Sequence, residues 1–396
     1  MLPLFYVFYH YFNLPFRAWE QRKLRDIANY RNGKAHEQVE DEDGKYTIIN
    51  SKFISTNGKV QRYTNEQVEP IFDGEIAMVL SDLPNGKALA KLFLVKEDGK
   101  YTLNQRIAGI TPNENIDPIF LNFRMNRNNY FLKFDSGVTQ TNLSKSQVEN
   151  FIALYPTFDE QYKIGLFFTQ LDDTIALHQR KLDTLKLMKK GLLQQMFPKR
   201  GENIPKIRFD DFDDIWEQRI LGEFLKESKI KGSNGSLAKK LTVKLWRKGV
   251  VPKEEIYTGS SATQYYIRKT GQFIYGKLDF LNQAFGIIPL ELDGYESTLD
   301  SPAFDIEESI NETFLLEYVS LARFYKYQGN IANGSRRAKR IHTDTFFEMP
   351  IPLPNSNEQQ KIGTFSRQID DLIALQQNKL EKLSSLKRFY LKNMFI

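Results

Sequence analysis

Two pairs of adjacent acids, Asp172-Asp173 and Asp370-Asp371, are the first side chains in this 396-residue sequence whose types suggest chemistry. Paired carboxylates can hold a metal or share general acid–base work, provided both reach one reacting atom. Successive side chains on a helix diverge by about 100°, so these pairs read as a polar helix face or a partner contact. Acids in "DGEIAMVL" and "KEDGK" are too loosely spaced to mark a nuclease site.

Other catalytic groups are excluded outright. With no cysteine, the chain has no disulfide, zinc ribbon, iron–sulfur cluster or cysteine nucleophile, and it suits a reducing cytoplasm, its expected location. His10, His36, His178 and His342 are far apart and lie in no metal-ligand spacing. A phosphate loop fails because Gly86-Lys87 is followed by Ala88, and no G-x-G-x-x-G, G-x-S-x-G or H-E-x-x-H occurs. The Asn-Pro-Pro or Asp-Pro-Pro string that holds a target amine is also missing: "IDPIF" has Ile119 where the second proline would stand. A non-enzyme is expected, with neither catalytic residues nor a metal.

The cationic segments are more informative. Net charge is +6 with a pI near 9.0, which favours an anionic partner. Between Lys226 and Lys253, nine basic residues, among them Lys239, Lys240 and Arg247, face the single acid Glu227; such a stretch releases counterions on meeting phosphates. In "NGSRRAKRIH", Arg336, Arg337, Lys339 and Arg340 offer guanine-reading and phosphate-binding groups. The matching place in the first half, "SGVTQTNLS", holds Thr139, Gln140 and Asn142 instead, and Gln and Asn suit adenine edges. Nucleic acid is the expected partner rather than an acidic membrane surface, and the apolar opening, residues 1–16, is shorter than a spanning helix and broken by Pro3, His10 and Pro15. It reads as an alternative start, or as a strand or short helix docked on the first domain.

What must position these loops is written twice. Glu160–Phe197 and Glu358–Phe395 align without a gap at an offset of 198 residues, about half of them identical; "WEQRKL" at Trp19 and "WEQRIL" at Trp216 precede them at an offset of 197. In each tail a proline precedes a cap, Thr157 or Asn355, and Glu160 or Glu358 completes the spacing of a capping box. Ile164, Phe168, Leu171, Ile175, His178, Leu182 and Leu185 step by four and three in turn, and Ile362, Ile369, Ile373, Gln376, Leu380 and Leu383 keep the phase. Each tail is thus a helix of roughly 40 residues, about 60 Å long, with an apolar stripe that wants a helical partner. His178 and Gln376 fall at matched seam positions and could set register. Between the tails, strand-like runs such as "EIAMVL" and "FIYGK" alternate with "NG", "DG" and "TG" turns and with helical "IDPIFLNFRMNRNNYFL" and "INETFLLEYVSLARFY".

The expected fold is therefore mixed α/β with a pseudo-twofold internal repeat: two globular domains joined by two long helices that bury their stripes against each other. The parts are an atypical segment 1–16, domain 17–156, helix 157–197, linker 198–212, domain 213–354 and helix 355–396.

The order of "EQ-x-KIG…Q[LI]DD-x-IAL-x-Q-x-KL…MF", a linker with "IP-x-[IL]RF-x-x-F…WEQR", and a second domain and helix resembles the DNA-specificity subunit of type I restriction-modification systems. The resemblance covers the chain from about Phe16. It implies a non-catalytic subunit whose two target-recognition domains each read half of a bipartite site on double-stranded DNA, with the two long helices packed antiparallel as a coiled-coil spacer, two methyltransferase subunits docked around it and restriction–translocase subunits added in the full complex. Cofactors would belong to those partners, S-adenosylmethionine for adenine N6 methylation and ATP with Mg2+ for cleavage, and none to this chain. The family's Gly-x-[IL] strand followed by "LNQR" fits Gly74, Ile76 and Leu103–Arg106, which adds Gln105 and Arg106 as DNA-facing candidates. The first half departs from the pattern: "YVFYHYFNLPFRA" stands where "IP-x-LRF-x-x-F" is usual. The competing readings are a coiled-coil adaptor that touches no DNA, whose partner binding is indifferent to salt, and a stand-alone nuclease, which cleaves with metal alone.

Overall fold

The computed structural model describes residues 19–36, 38–84, 86–254, 260–330 and 340–395. The chain divides into two compact units, residues 1–179 with 379–396, and residues 180–378. No helix among the described residues is long and apolar enough to cross a membrane.

In the first unit, Glu20–Lys23 pairs antiparallel with Ile152–Tyr155. A four-stranded antiparallel sheet runs in the order Ala28–Asn32, Ile107–Pro112, Ile76–Val79, Leu92–Leu94. Its strand Ile76–Val79 is buried at every position. Because side chains alternate along a strand, Ile76 and Met78 enter one core while Ala77 and Val79 enter another. The second core lies against a sheet in which Tyr46–Ile49 and Tyr101–Leu103 run parallel. Helix α1, Pro118–Met125, begins where Asp117 accepts the Phe120 N–H and proline occupies the first turn.

The second unit repeats the plan with other side chains. Glu217–Ile220 pairs with Pro350–Leu353, and an antiparallel sheet runs Leu225–Ser228, Ala303–Ile306, Phe273–Tyr275, Phe285–Ile287. Its core uses much of the aromatic content: the Phe346 ring lies 5.7 Å from Phe273, stacked, and 4.6 Å from Tyr275, while Phe280 meets Phe285 edge-on at 4.9 Å. Helix α3, Glu312–Val319, is capped by Asn311 as α1 is by Asp117.

The repeated motifs are the joints between each domain and its long helix. Helix α2 spans Phe158–Met196 and α4 spans Ser356–Met394. Trp19 Nε1–H donates to Glu160 at 3.0 Å, and Trp216 Nε1–H donates to Glu358 at 3.1 Å. Gln161 accepts the backbone N–H of Asp117 and donates to the Pro156 carbonyl; Gln359 does the same with Asn311 and Pro354. Each "KIG" glycine lets a cap residue approach: an added Cβ would lie 2.9 Å from Asp117 Oδ1 at Gly165 and 2.5 Å from Asn311 Oδ1 at Gly363. These contacts revise the capping-box expectation for the second helix. Asn355 does accept the Glu358 N–H, but the Glu358 carboxylate is buried and binds Arg208 with two 2.8 Å hydrogen bonds besides Trp216, because a buried charge needs a charged partner more than a cap does.

Each unit also contains the end of the other helix. In the first, Phe168 near the start of α2 stacks with Phe395 at 5.8 Å, and Phe167 meets Tyr390 at 5.3 Å. In the second, Leu193, Met196 and Phe197 share a core with Ile362 near the start of α4.

Candidate nucleic-acid interface

Both candidate segments of the first domain converge on Leu80–Asp82. Gln105 and Arg106 sit exposed in the turn between Tyr101–Leu103 and Ile107–Pro112, where the Arg106 carbonyl accepts the Leu80 N–H at 3.0 Å. On the other side, Thr141-Asn142 pairs with Ser81-Asp82, and the Leu143 N–H donates to the Leu80 carbonyl at 2.8 Å. Residues about 35 apart in sequence thus form one polar surface, with Thr139, Gln140 and Asn142 exposed. Gln140 donates one amide N–H to Ser81 Oγ at 2.7 Å, which orients the amide and leaves its carbonyl and second N–H for another partner.

The nearby acid has a structural task in its own loop. Asp82 accepts the backbone N–H groups of Leu83, Ala88 and Leu89, closing a tight loop in which any Cβ at Gly86 would collide with the Asp82 carboxylate. The loop pushes Leu83 into solvent (68% exposed), and Val138 (79%) stands on the segment leading to Gln140. Sequence reasoning missed these two, whose exposure depends on tertiary structure; apolar groups among polar ones suit thymine methyls.

In the second domain two candidates are engaged within the fold. Arg247 is not a free cation: its guanidinium binds Glu317 through two hydrogen bonds of 2.5 and 3.0 Å. Glu317 is buried and also takes Lys189 Nζ at 3.0 Å and Ser366 Oγ at 2.6 Å. Burial pushes the Glu317 carboxyl up, but Arg247 and Lys189 outweigh it and hold the group at about 2. Lys240 is buried too, its ammonium 5.5 Å from the Tyr265 ring centre, because its segment bridges to Glu296 inside the domain.

Lys239 remains exposed, its carbonyl accepting the Glu296 N–H. Arg336, Arg337 and Lys339 lie outside the described residues, as does the segment 1–16. Arg340 is exposed and paired with Asp300 at 3.2 Å, and the next residue, Ile341, donates its N–H to the Lys277 carbonyl. Lys277 was not anticipated. Burial lowers its pKa; the charges of Glu227 and Asp300 oppose that shift and those of Lys229 and Arg340 add to it, so three cations gather beside Ile341 with two acids among them.

The helical stripe divides its duties. Ile164, Phe168 and Ile362 are fully buried in domain cores. Leu171, Leu182 and Ile369 are buried farther along, and Ile175, Leu185, Ile373, Leu380 and Leu383 are partly buried. Gln376 is buried among them. The tempting acids serve the helices: Asp370 pairs with Lys189 at 2.6 Å and Asp172 with Lys387 at 2.5 Å. Two apolar positions recur on the outer side of both helices, Leu177 with Leu375 and Met188 with Leu386, all more than 40% exposed.

A family model described as "Type I restriction modification DNA specificity domain" matches the chain twice, over residues 17–187 and 214–385. The type I restriction enzyme MjaVIII specificity subunit of Methanocaldococcus jannaschii is 22% identical over 395 residues, covering 93% of this chain and 90% of that protein. The putative type I restriction enzyme MjaX specificity subunit of the same organism is 22% identical over 418 residues, covering 93% and 91%. The crystal structure of a type I restriction-modification S subunit from M. genitalium matches with a TM-score of 0.60 at 13% identity, over 97% of this chain and 98% of that one. A chain from a structural study of assembly and conformational transition of the type I system matches at 0.57 with 16% identity, over 96% and 98%. At such identities the structural likeness speaks to fold alone.

Proposed function

Because the chain belongs to the type I restriction-modification DNA specificity family and carries two copies of its domain, we propose that it reads a bipartite, asymmetric DNA site, one half with each unit. The observation that carries this reading is the contrast within the repeat. The Trp–Glu and Gln–cap joints recur residue for residue, while the loops they present differ, Gln140 and Asn142 in one and Arg340 with its neighbours in the other. Two different half-sites need different loops on one frame.

In this reading Gln105, Arg106, Thr139, Gln140 and Asn142 face one half-site, and Lys239, Arg336, Arg337, Lys339 and Arg340 face the other. Helices α2 and α4 form an antiparallel coiled-coil spacer that sets the gap. Leu177, Met188, Leu375 and Leu386 provide equivalent apolar docking points for two identical methyltransferase subunits, since exposed apolar positions repeated on both helices suit identical partners. The chain itself is non-catalytic and acts in the cytoplasm. S-adenosylmethionine, ATP and Mg2+ act on the methyltransferase and restriction–translocase subunits. Co-expression with a methyltransferase partner, followed by single-molecule sequencing for N6-methyladenine, is expected to reveal a split motif with a fixed gap; a stable complex that methylates no such motif would overturn the reading.

A further inference from the structure

Part of the cationic stretch folds into a hairpin, Leu241–Val243 against Val250–Pro252. At its tip Trp246 and Arg247 have φ of +58° and +54°, a left-handed backbone that bulky side chains seldom adopt. Such strain persists only where the surroundings impose it. Here they do. The Trp246 and Arg247 N–H groups donate to the carbonyls of Asn282 (2.7 Å) and Gln283 (3.1 Å), and Gln283 is itself left-handed at +52°. The Arg247 guanidinium is latched to buried Glu317. Three of the six non-glycine residues with positive φ among the described residues therefore meet at one junction.

The latch holds Trp246 54% exposed, whereas Trp216 is buried and Trp19 is partly buried against Phe120. Lys244 and Lys248 flank it, both exposed. Arg247 and Gln283 also line a groove of about 700 Å3 that presents Lys186, Lys190 and Lys326. Glu317 and Asp370 neutralise Arg247 and Lys189, so these three lysines give the groove its excess positive charge. An exposed aromatic side chain on a rigid mount, one residue from the lining of a cationic groove, has the chemistry of nucleic-acid stacking, with lysines on phosphates and the indole on a base.

We propose that Trp246 is a base-stacking contact of the second domain, inserting at a DNA base step while Lys186, Lys190 and Lys326 hold phosphates in the groove. The proposal rests on the DNA-reading function above. Such a wedge senses how easily a step unstacks and favours pyrimidine–purine steps.

The test uses the complex with methyltransferase subunits, the present chain being labelled with 5-hydroxytryptophan. Specific duplex is expected to quench the label in the wild type but not in W246F. W246A is expected to bind about tenfold or more weakly, with much of the affinity restored by an abasic site at the contacted step. The triple variant K186Q/K190Q/K326Q is expected to reduce the slope of log K against log salt by about 0.9 for each phosphate no longer neutralised. A W246A complex that binds and methylates as the wild type does overturns the proposal. So does a W246A chain that no longer assembles with the methyltransferase, which would make Trp246 a protein contact. A wild-type complex that binds no specific duplex overturns the DNA-reading function itself, and the wedge with it.

Discussion

Lys189 Nζ lies 2.6 Å from Asp370 Oδ2, joining α2 to α4, and their counterparts in the repeat, Lys387 (198 residues after Lys189) and Asp172 (198 before Asp370), make the same pair. The internal repeat thus extends to individual ion pairs between the helices. Substituting Lys387→Asp sets two acids together and is expected to cost about 0.5–1 kcal/mol, discounted because Asp172 is 41% exposed. Adding Asp172→Lys restores most of the loss, which thermal unfolding of the single and double variants would reveal. A double variant no more stable than the single would mean that the pair contributes nothing.

Glu317 ties acid stability to the second unit. Its folded carboxyl titrates at about 2 against an ordinary 4.5, so below 4.5 the unfolded chain takes up the proton first. The stabilisation is complete above about pH 4.5 and is lost as pH falls toward 2, amounting to about 3 kcal/mol at most. Denaturant melts between pH 2 and 6 are expected to steepen over this window and to flatten in Glu317→Gln. Glu317→Ala leaves Arg247 and Lys189 without their buried counter-ion and is expected to cost about 3–5 kcal/mol.

Alanine favours a helix over glycine by about 1 kcal/mol, yet at two helical glycines it is expected to destabilise. At Gly363 the new Cβ would meet Asn311 Oδ1 at 2.5 Å, and at Gly165 it would meet Asp117 Oδ1 at 2.9 Å and Ile119 Cβ at 3.2 Å. Overpacking of this kind costs about 1–3 kcal/mol. Gly363→Ala is expected to lower the melting temperature more than Gly165→Ala, and the opposite order would disprove the cap-contact account.

Gln140→Ala and Asn142→Ala are expected to relax base selection by about 1–3 kcal/mol, at positions within one half-site only. Arg247→Ala, by contrast, is expected to act through stability of the second unit. Methylation maps of the three complexes distinguish these effects; altered selection in both half-sites from Gln140→Ala would contradict modular reading.

A four-residue insertion in one long helix adds about 6 Å of rise. It is expected to widen the gap between half-sites without changing either half. An unchanged gap in the mapped motif would refute the spacer's role as a ruler.

Some features need only neighbours a few residues away. The stepping from Ile164 to Leu185 marks a helix because 3.6 residues make a turn, and the burial of Ile76 through Val79 follows from an unbroken apolar run. The doubled "WEQR" and "EQ-x-KIG" strings were readable as a repeat before their purpose was known. That purpose needed the fold, since the Trp19–Glu160 hydrogen bond spans 141 residues.

Composition and short-range spacing were enough for the repeat, the long helices, the basic balance and the absence of cysteine chemistry. Tertiary structure alone decided which charges remain available. Arg247 looked like a phosphate ligand until Glu317, 70 residues away, proved to occupy it, and Lys189 is held by Asp370 across 181 residues. Gln105 and Gln140 became one surface because both segments are tied to Leu80. A charge in sequence has no address; burial and counter-ions are assigned only when distant segments pack, because desolvating an unpaired ion costs more than most local preferences can supply.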